Sequence, residues 1–496
     1  MLTTQEIKQF IDADNASEKK RFARIGQAYY EGEHDIKSYR LFYWNDNEEL
    51  VEDTTRSNIK LPHPFLTELT DQATQYILSG KDGIIKSDIP ELQTEMDAYF
   101  NDNEDFIAEL SEVITGCQNK GFEYMFGYKN AEDKLAFQCA DSLGVVEVEG
   151  RFASDKKDHM IWWYVDRVDK EGKTIKRVLV WDDENKYFYK QTDNGEIEED
   201  KCFNGSNTKP HVVYQEEGKD KILYDELGFV PFFRLDNNKK QQSNLKVIKP
   251  IIDDYDLMAS SLSNNLVDFD TPIHVVKGFE GDDLDKLQKN LKTKKLIGME
   301  STETGAGLDI KTVDVPYEAR KVKLELDEQN IYRFGMGLNT SGLKDTTATT
   351  NIAIKAMYAL LDLKCSKLII RLKQFLRKII KVVLDEINAN NGTDYQMNQV
   401  YFNFEPEIMS NAEENARIAL TEAQARQTEI NILLSLATQL DAETLIQLIC
   451  EQLDIDYDDI KDKLPDPNEA ETTVNAAQAT LDSVPVEPEG SEEVNE

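Results

Sequence analysis

Residues 337–351 read GLNTSGLKDTTATTN, and the residues that follow, 352–390, contain neither glycine nor proline. The first stretch is rich in glycine and small polar side chains, a composition typical of an exposed loop. The second predicts one uninterrupted helix of roughly 55 to 60 Å, at about 1.5 Å per residue. Because the usual globular helix is about a third of that length, we expect this one to pack inside a large assembly.

The residues before the loop predict two helices separated by a small insert. The first helix, within 243–272, carries an apolar stripe at steps of three and four, and Pro250 fits best in its first turn. Residues 273–316 predict a small α/β unit, and residues 317–336 a second helix. If the insert caps their far end, the two helices run antiparallel. So short a pair cannot bury both of its faces alone, and a closed ring of identical copies is the simplest way to cover them.

The other segments predict an α+β fold that is predominantly helical. Residues 1 to about 135 show helical spacing. From about 136 to 236, short runs rich in β-branched and aromatic residues, separated by turns such as Asp193-Asn194-Gly195, predict a mainly antiparallel sheet. Further helices are expected within 406–465. The segment 466–496 holds nine acidic residues, no basic ones and three prolines, so we expect it to be disordered.

The composition limits the classes of function. The chain has 496 residues, 40% of them hydrophobic, and a formal net charge of −37. This acidic balance argues against a conventional nucleic-acid-binding protein, which needs lysine and arginine to neutralise phosphates. It is compatible with a surface past which DNA slides, since such a surface gains from not gripping the duplex. We expect no secretory signal, no membrane span and five reduced cysteines.

Motifs for catalysis, cofactors and metals are missing from the sequence, and we expect none of these sites. The phosphate loop G-x-x-x-x-G-K-[ST] is absent, and none of the five histidines belongs to a zinc-binding pair. The stretch Asp454-Ile455-Asp456-Tyr457-Asp458 is similar to the start of a calcium loop. However, Asp459 stands where that loop requires glycine, and Pro465 where it requires glutamate.

Five short stretches occur in an informative order along the chain. They are YYEGEHDI at 29–36, GFVPFFRLDNN at 228–238, IIDDYDL at 251–257, NLVDF at 265–269 and IHVVKG at 273–278. In this order they resemble motifs of the portal proteins of tailed double-stranded DNA bacteriophages with long non-contractile tails. Each stretch is a weak signal by itself, but the co-linear order is specific. The resemblance covers about residues 20–405.

The resemblance implies a structural protein and not an enzyme. It implies a homo-oligomeric ring, twelve-fold in the virion, that stands at one vertex of the capsid and through which double-stranded DNA is packaged and ejected. It further implies docking of the terminase large subunit and of head-tail connector proteins, and contact with the major capsid and scaffolding proteins.

The resemblance also implies a division of the chain into named parts. Residues 1–242, together with the long helix and return strand at 352–405, would form the wing. Residues 243–272 and 317–336 would be the two stem helices and 273–316 the clip that they bracket. Residues 337–351 would be a loop in the DNA tunnel, 406–465 a helical crown and 466–496 a disordered acidic tail.

Two sets of residues are candidates for contact with DNA. In the tunnel loop, small polar side chains offer contacts to phosphate without reading bases; the candidates are Asn339, Thr340, Ser341, Lys344, Asp345, Thr346, Thr347 and Thr349. On the second stem helix, charged side chains would face the channel; the candidates are Lys321, Lys323, Glu325, Asp327 and Glu328. The alternatives are an ordinary solvent loop and a solvated helix face paired with neighbouring subunits.

The long helix is an exception to the acidic balance. Between 352 and 387 it holds eight basic residues against three acidic ones. Lys364, Lys367, Arg371 and Lys378 recur on one face. This face predicts either pairing with acidic surfaces of adjacent subunits or a DNA-binding surface.

Two other functions compete with the portal hypothesis. The first is an acidic nucleic-acid enzyme, such as a nuclease in which clustered carboxylates hold Mg²⁺. The second is a head-tail adaptor or scaffold protein, against which the length of the chain and the order of its helices argue.

Overall fold

The computed structural model describes residues 1–45, 47–54, 56–80, 83–130, 132–215, 222–225, 227–269, 273–277, 307–311, 317–339, 351–404, 412–435, 444–445 and 447–448. The chain divides into two compact units. The first comprises Met1–Thr346 and Lys355–Ile408, and the second comprises Thr347–Ile354 and Met409–Glu496. The fold is α+β, as predicted, and helices contain more of the described residues than strands do.

The first five helices are α1 (Thr4–Ala16), α2 (Glu18–Tyr30), α3 (Phe65–Leu78), α4 (Pro90–Met96) and α5 (Glu104–Lys120). Three of these helices start at a residue whose side chain caps them. Thr3 forms a reciprocal capping box with Glu6, while Ser17 caps α2 and Asn103 caps α5. Short helical turns at Asp35–Ser38 and Asp97–Asn101 extend this region.

Fourteen strands belong to the N-terminal part of the described chain: β1 (Phe42–Trp44), β2 (Leu50–Glu52), β3 (Ile85–Ser87), β4 (Phe122–Lys129), β5 (Leu135–Ala140), β6 (Val145–Val148), β7 (His159–Val168), β8 (Thr174–Trp181), β9 (Asn185–Thr192), β10 (Ile197–Glu199), β11 (Thr208–Pro210), β12 (Val212–Gln215), β13 (Ile222–Asp225) and β14 (Phe232–Asp236). The largest sheet has the order β10-β9-β8-β7-β6, with β11 also paired to β9, and a three-stranded sheet has the order β14-β4-β5. Every pairing among the described strands is antiparallel.

The sheet region starts at Phe122, ahead of the limit of about 136 drawn from the sequence. The reason is Gly121, which ends α5 in the left-handed conformation at φ +99°. A Cβ atom at this position would lie 2.5 Å from the Gln241 carbonyl oxygen. The chain therefore turns sharply from α5 into β4 at a position that only glycine accommodates.

The later helices are α6 (Leu245–Phe269), α7 (Tyr317–Gly335), α8 (Asn351–Asn391) and α9 (Ala412–Ser435). Between α6 and α7 lie β15 (Ile273–Lys277) and β16 (Gly307–Lys311), which pair with each other. After α8 come a helical turn, Met397–Gln399, and β17 (Val400–Phe402), which pairs with β3. Because α6 begins at Leu245, Pro250 is its sixth residue and not part of its first turn.

The main core is built around α8. Its buried side includes Leu361, Cys365, Leu368, Leu372 and Phe375, and these side chains pack with apolar residues of α3, α4, α5, β4 and β5. A separate apolar cluster joins α2 and α3 to the first turns of α6 and to the end of α7. The helices α6 and α7 are thus anchored at one end to the body of the first unit.

Candidate functional site

Two described strands of the insert between α6 and α7 pair with each other. Residues Ile273–Lys277 pair antiparallel with Gly307–Lys311, in the register Ile273↔Lys311. The chain therefore leaves α6 and enters α7 through two neighbouring strands. This backbone geometry brings the two helices together as an antiparallel pair with the insert at one end.

A polar contact fixes the register of the helix pair. The Lys323 ammonium of α7 donates to Asp254 of α6 at 2.5 Å and also to Asp327, one turn further along α7. Burial alone would lower the pKa of Lys323, but the hydrogen bonds to these two carboxylates raise it above its ordinary value. The ammonium is thus held in its charged form between the two helices.

Asp327, one of the five residues predicted to face a channel, is buried within the single chain. Its exposed fraction is 5%, because the side chain lies against α6 beside Lys323. By contrast, Lys321 and Glu325 are exposed, and their charged groups are 4.0 Å apart. Glu328 is half-buried. The structure therefore divides the five predicted stem residues. Lys323 and Asp327 form an inner pair at the contact with α6, and Lys321, Glu325 and Glu328 form an outer set.

The exposed face of α7 is not only charged. Val322 is 60% exposed, and Leu326, one turn away, is also exposed. On α6, Leu266 and Val267 are exposed as well. Apolar side chains at helical spacing on an unpartnered face are typical of a surface that another copy or another protein covers.

At the anchored end the pair is held by aromatic rings and a buried carboxylate. Tyr255 of α6 and Tyr332 of α7 both make edge contacts with Phe65, with ring centroids 5.0 and 6.1 Å away. Asp256 of α6 is buried and accepts hydrogen bonds from two imidazoles, His34 at 2.6 Å and His63 at 2.9 Å. Burial alone would raise the pKa of Asp256, but these hydrogen bonds outweigh it and keep that pKa below its ordinary value.

The start of the predicted tunnel loop is fastened to α3. The Leu338 amide donates to the Gln72 side-chain oxygen at 3.0 Å, and the Gln72 side-chain amide donates to the Leu338 carbonyl at 3.0 Å. Gly337 packs so closely that a Cβ atom there would lie 2.0 Å from Leu69 Cδ2. Of the predicted loop residues, Asn339 is described and half-buried. Thr340, Ser341, Lys344, Asp345, Thr346, Thr347 and Thr349 lie outside the described residues.

The basic residues of α8 do not share one surface. Lys364 donates to the Leu69 carbonyl at 3.0 Å, and burial lowers the pKa of its ammonium to about 8. Lys367 and Lys378 are exposed, and Arg371 is half-buried. Lys364 therefore helps to attach α8 to α3, and only the outer members of the predicted basic face are available to a partner.

Sequence reasoning missed the contacts that hold the helix pair to the body. His34 and Asp256 are separated by 222 residues and Gln72 and Leu338 by 266 residues, so no local spacing connects them. The one available signal was the position of His34 inside the quoted stretch 29–36. Its role as a partner of α6 required the fold.

Within the described residues, no group of three or more histidine, cysteine or acidic side chains is arranged to hold a metal ion. The stretch 454–458 lies outside them. No helix of the described residues is both long and apolar enough to cross a membrane.

Known proteins match a range of the chain that contains the helix pair and the long helix. The family described as phage portal protein, SPP1 Gp6-like, matches residues 8–455. The portal protein of Bacillus phage SPP1 is 25% identical over 367 residues, which cover 73% of this chain and 69% of that protein. The portal protein of Clostridium phage phiCD119 is 25% identical over 432 residues, which cover 84% of this chain and 88% of that protein.

The family match extends over both sides of the helix pair, so these matches do not rest on one motif. They define the chain as a structural protein of a bacteriophage. In particular, it belongs to the SPP1 Gp6-like family of phage portal proteins. Proteins of this family are components of the virion and take part in capsid assembly as oligomers.

Proposed function

We propose that this chain is the subunit of a closed ring, twelve-fold in the virion, through which double-stranded DNA enters and leaves the capsid at one vertex. The observation that carries the proposal is the antiparallel pair α6–α7, which is anchored to the body at one end, bears the insert at the other and exposes apolar side chains between them. Such a pair gains stability when copies stand side by side around an axis.

The proposed ring assigns a part to each segment. Residues 1–242 and 352–405 form the wing, and residues 243–272 and 317–336 form the stem. The clip, 273–316, docks the terminase large subunit and later the head-tail connector proteins. Residues 337–351 form the tunnel loop and 406–465 the crown, while 466–496 form an acidic tail. The outer surface of the ring contacts the major capsid and scaffolding proteins.

In this proposal the channel is passive, and the energy for DNA movement comes from the separate terminase. Lys321, Glu325 and Glu328 face the duplex and supply weak, mixed-sign contacts, so that the DNA is neither gripped nor strongly repelled. Lys323 and Asp327 align the two stem helices inside one subunit. The small polar side chains of the tunnel loop touch phosphates without reading bases.

Negative-stain electron microscopy of the purified chain tests the proposal. We expect rings with a central hole, whose rotational symmetry is measured from class averages. A chain that stays monomeric at high concentration, both alone and with the phage's scaffolding protein, would contradict the proposal. Incubation of the same sample with duplex DNA and Mg²⁺ examines the competing nuclease function, for which metal-dependent cleavage would be the positive result.

A further inference from the structure

An isolated hairpin projects from the segment between α2 and α3. Its strands β1 and β2 pair in the register Phe42↔Glu52 and Trp44↔Leu50. Because side chains alternate between the faces of a strand, Phe42, Trp44 and Leu50 share one face. All three are exposed, and Trp44 is 70% exposed.

This hairpin has little to stabilise it within one chain. Among the described strands, none other than β1 and β2 themselves pairs with either member, so each presents an open edge. A two-stranded sheet without further packing is only marginally stable in water. Three large apolar side chains on such a face indicate a surface that is covered in the assembled protein.

The position of the hairpin relative to α6 is fixed by its return segment. The Ser57 hydroxyl donates to Asp268 at 2.6 Å, the Ile59 amide to the Asn264 side chain at 2.6 Å, and the Leu61 amide to the Ser260 hydroxyl at 3.0 Å. The return segment, residues 57–61, therefore runs along residues 260–268 of α6. It lies beside the part of the helix pair that adjoins the insert.

A cavity of about 300 Å³ shows which part of α7 lies beside these α6 residues. Tyr39 and Leu41, which lie just before β1, line this cavity together with Asn264 of α6 and Arg320 of α7. We call α6 residues 260–269 and α7 residues 317–322 the insert-side end of the stem. This end exposes its own apolar side chains, Leu266, Val267, Tyr317 and Val322.

Ring symmetry connects the two apolar surfaces. Copies in a closed ring are related by rotation about one axis, without displacement along it. A segment at the level of the insert-side end therefore meets the neighbouring copy at that same level. With a net charge of −37 per chain, copies repel one another, so an apolar contact is a favourable way to join them.

We infer that the β1–β2 hairpin is an arm that packs the face of Phe42, Trp44 and Leu50 against the insert-side end of the stem of the neighbouring copy. This inference rests on the proposed function, because it requires a ring. It adds that the stem is held together by an arm from outside each helix pair as well as by contacts between the stems themselves.

Chemical cross-linking tests the contact directly. Trp44→Cys is combined, one at a time, with Leu266→Cys, Val267→Cys, Tyr317→Cys and Val322→Cys in a Cys202→Ser background, because Cys202 is an exposed native thiol. Assembled rings are treated with a short bis-maleimide and separated by denaturing electrophoresis. We expect a ladder of covalent multimers from at least one pair, and only background multimers from each single-cysteine variant.

A second measurement uses the double variant Trp44→Ser/Leu50→Ser. Both side chains are exposed in one chain, so the melting temperature of the monomer should stay unchanged. The concentration required for ring assembly, measured by analytical ultracentrifugation, should rise at least about tenfold, since central aromatic anchors dominate interfaces. Phe152→Ser, which removes another exposed aromatic ring, is the matched control and should assemble normally.

The outcomes separate the two proposals. If rings form but no cysteine pair gives a ladder, and the double variant assembles as readily as the Phe152→Ser control, the hairpin contact is wrong while the portal function stands. If the unmodified chain forms no rings, either alone or with the phage's scaffolding protein, the proposed function itself is contradicted.

Discussion

The long helix α8 and the helix pair α6–α7 both carry apolar side chains, yet they bury them to different degrees. On α8, Leu372 and Leu376 are completely buried within the chain's own core. On α7, Val322 and Leu326 are exposed, and Lys323, which lies between them in the sequence, donates to Asp254 of α6. The core around α8 is complete within one chain, whereas the α6–α7 pair leaves apolar side chains exposed. In the proposed ring, the first region would provide the stability of each subunit and the second would provide the assembly.

The strongest test of this difference is a truncation on α8. Leu372→Ala should lower the free energy of unfolding of the monomer by about 2 to 5 kcal/mol, because it removes buried methyl groups and leaves a cavity. Urea unfolding followed by circular dichroism measures this change. Ile370→Ala, two residues away on the same helix but at a position that is 62% exposed, should stay within about 0.5 kcal/mol of the unmodified chain. Equal losses would mean that α8 is not the core of the wing.

A smaller effect is expected from the ion pairs inside the stem. Lys323→Met leaves the buried Asp327 carboxylate without its cation, which destabilises the helix pair. Since the Lys323 side chain is 39% exposed, water screens part of the loss, and we expect about 1 to 2 kcal/mol. Lys321→Met removes an exposed lysine from the same helix and should change the unfolding free energy by less than about 0.5 kcal/mol.

The two lysine variants also distinguish alignment from channel contact. Thermal unfolding should respond to Lys323→Met and not to Lys321→Met. DNA packaging in an assembly reaction should respond to Lys321→Met if that side chain faces the duplex. A stable Lys323→Met variant with a packaging defect would place Lys323 on the channel side instead.

The smallest expected effect is on how the unfolding free energy depends on pH in the acid range. It arises from Asp256, at the anchored end of the stem. The folded pKa of Asp256 lies below its ordinary value of 3.8, so its ionised form stabilises the fold. This contribution is complete above pH 3.8 and is lost as the pH falls through the folded pKa. The unfolding free energy should therefore decline below pH 3.8, and Asp256→Asn should make that decline shallower in urea titrations from pH 7 to pH 2.5. An unchanged slope would show that protonation of Asp256 does not affect the unfolding free energy.

The sequence predicted the α6, α7 and α8 elements well because their signals are local. The absence of glycine and proline from 352–390 agrees with a helix that spans Asn351–Asn391. The apolar spacing after residue 243 agrees with α6, and the predicted second helix, 317–336, agrees with α7 at Tyr317–Gly335. The sheet boundary was placed too late, since it depended on how Gly121 packs against Gln241 and not on a pattern within β4.

The sites were less predictable than the elements. Periodicity places Lys323, Asp327 and Lys364 on helices but does not say which face is covered. Lys323 and Asp327 lie at the α6 contact, and Lys364 binds the Leu69 carbonyl. The hairpin at Phe42–Glu52 was not predicted at all, because its three-residue strands are too short to produce a clear alternation.

The sequence by itself therefore determined the α+β class, the order of two helices around an insert, the long helix and the resemblance to portal proteins. All of these depend on residues that are near one another in the chain. The tertiary structure alone decided which charges are inner and which are outer, how α6 is anchored through Asp256 to His34 and His63, and where the exposed apolar side chains of the hairpin and stem lie. The reason is that burial is a property of pairs of surfaces brought together from distant parts of the chain, as between Ser57 and Asp268 across 211 residues.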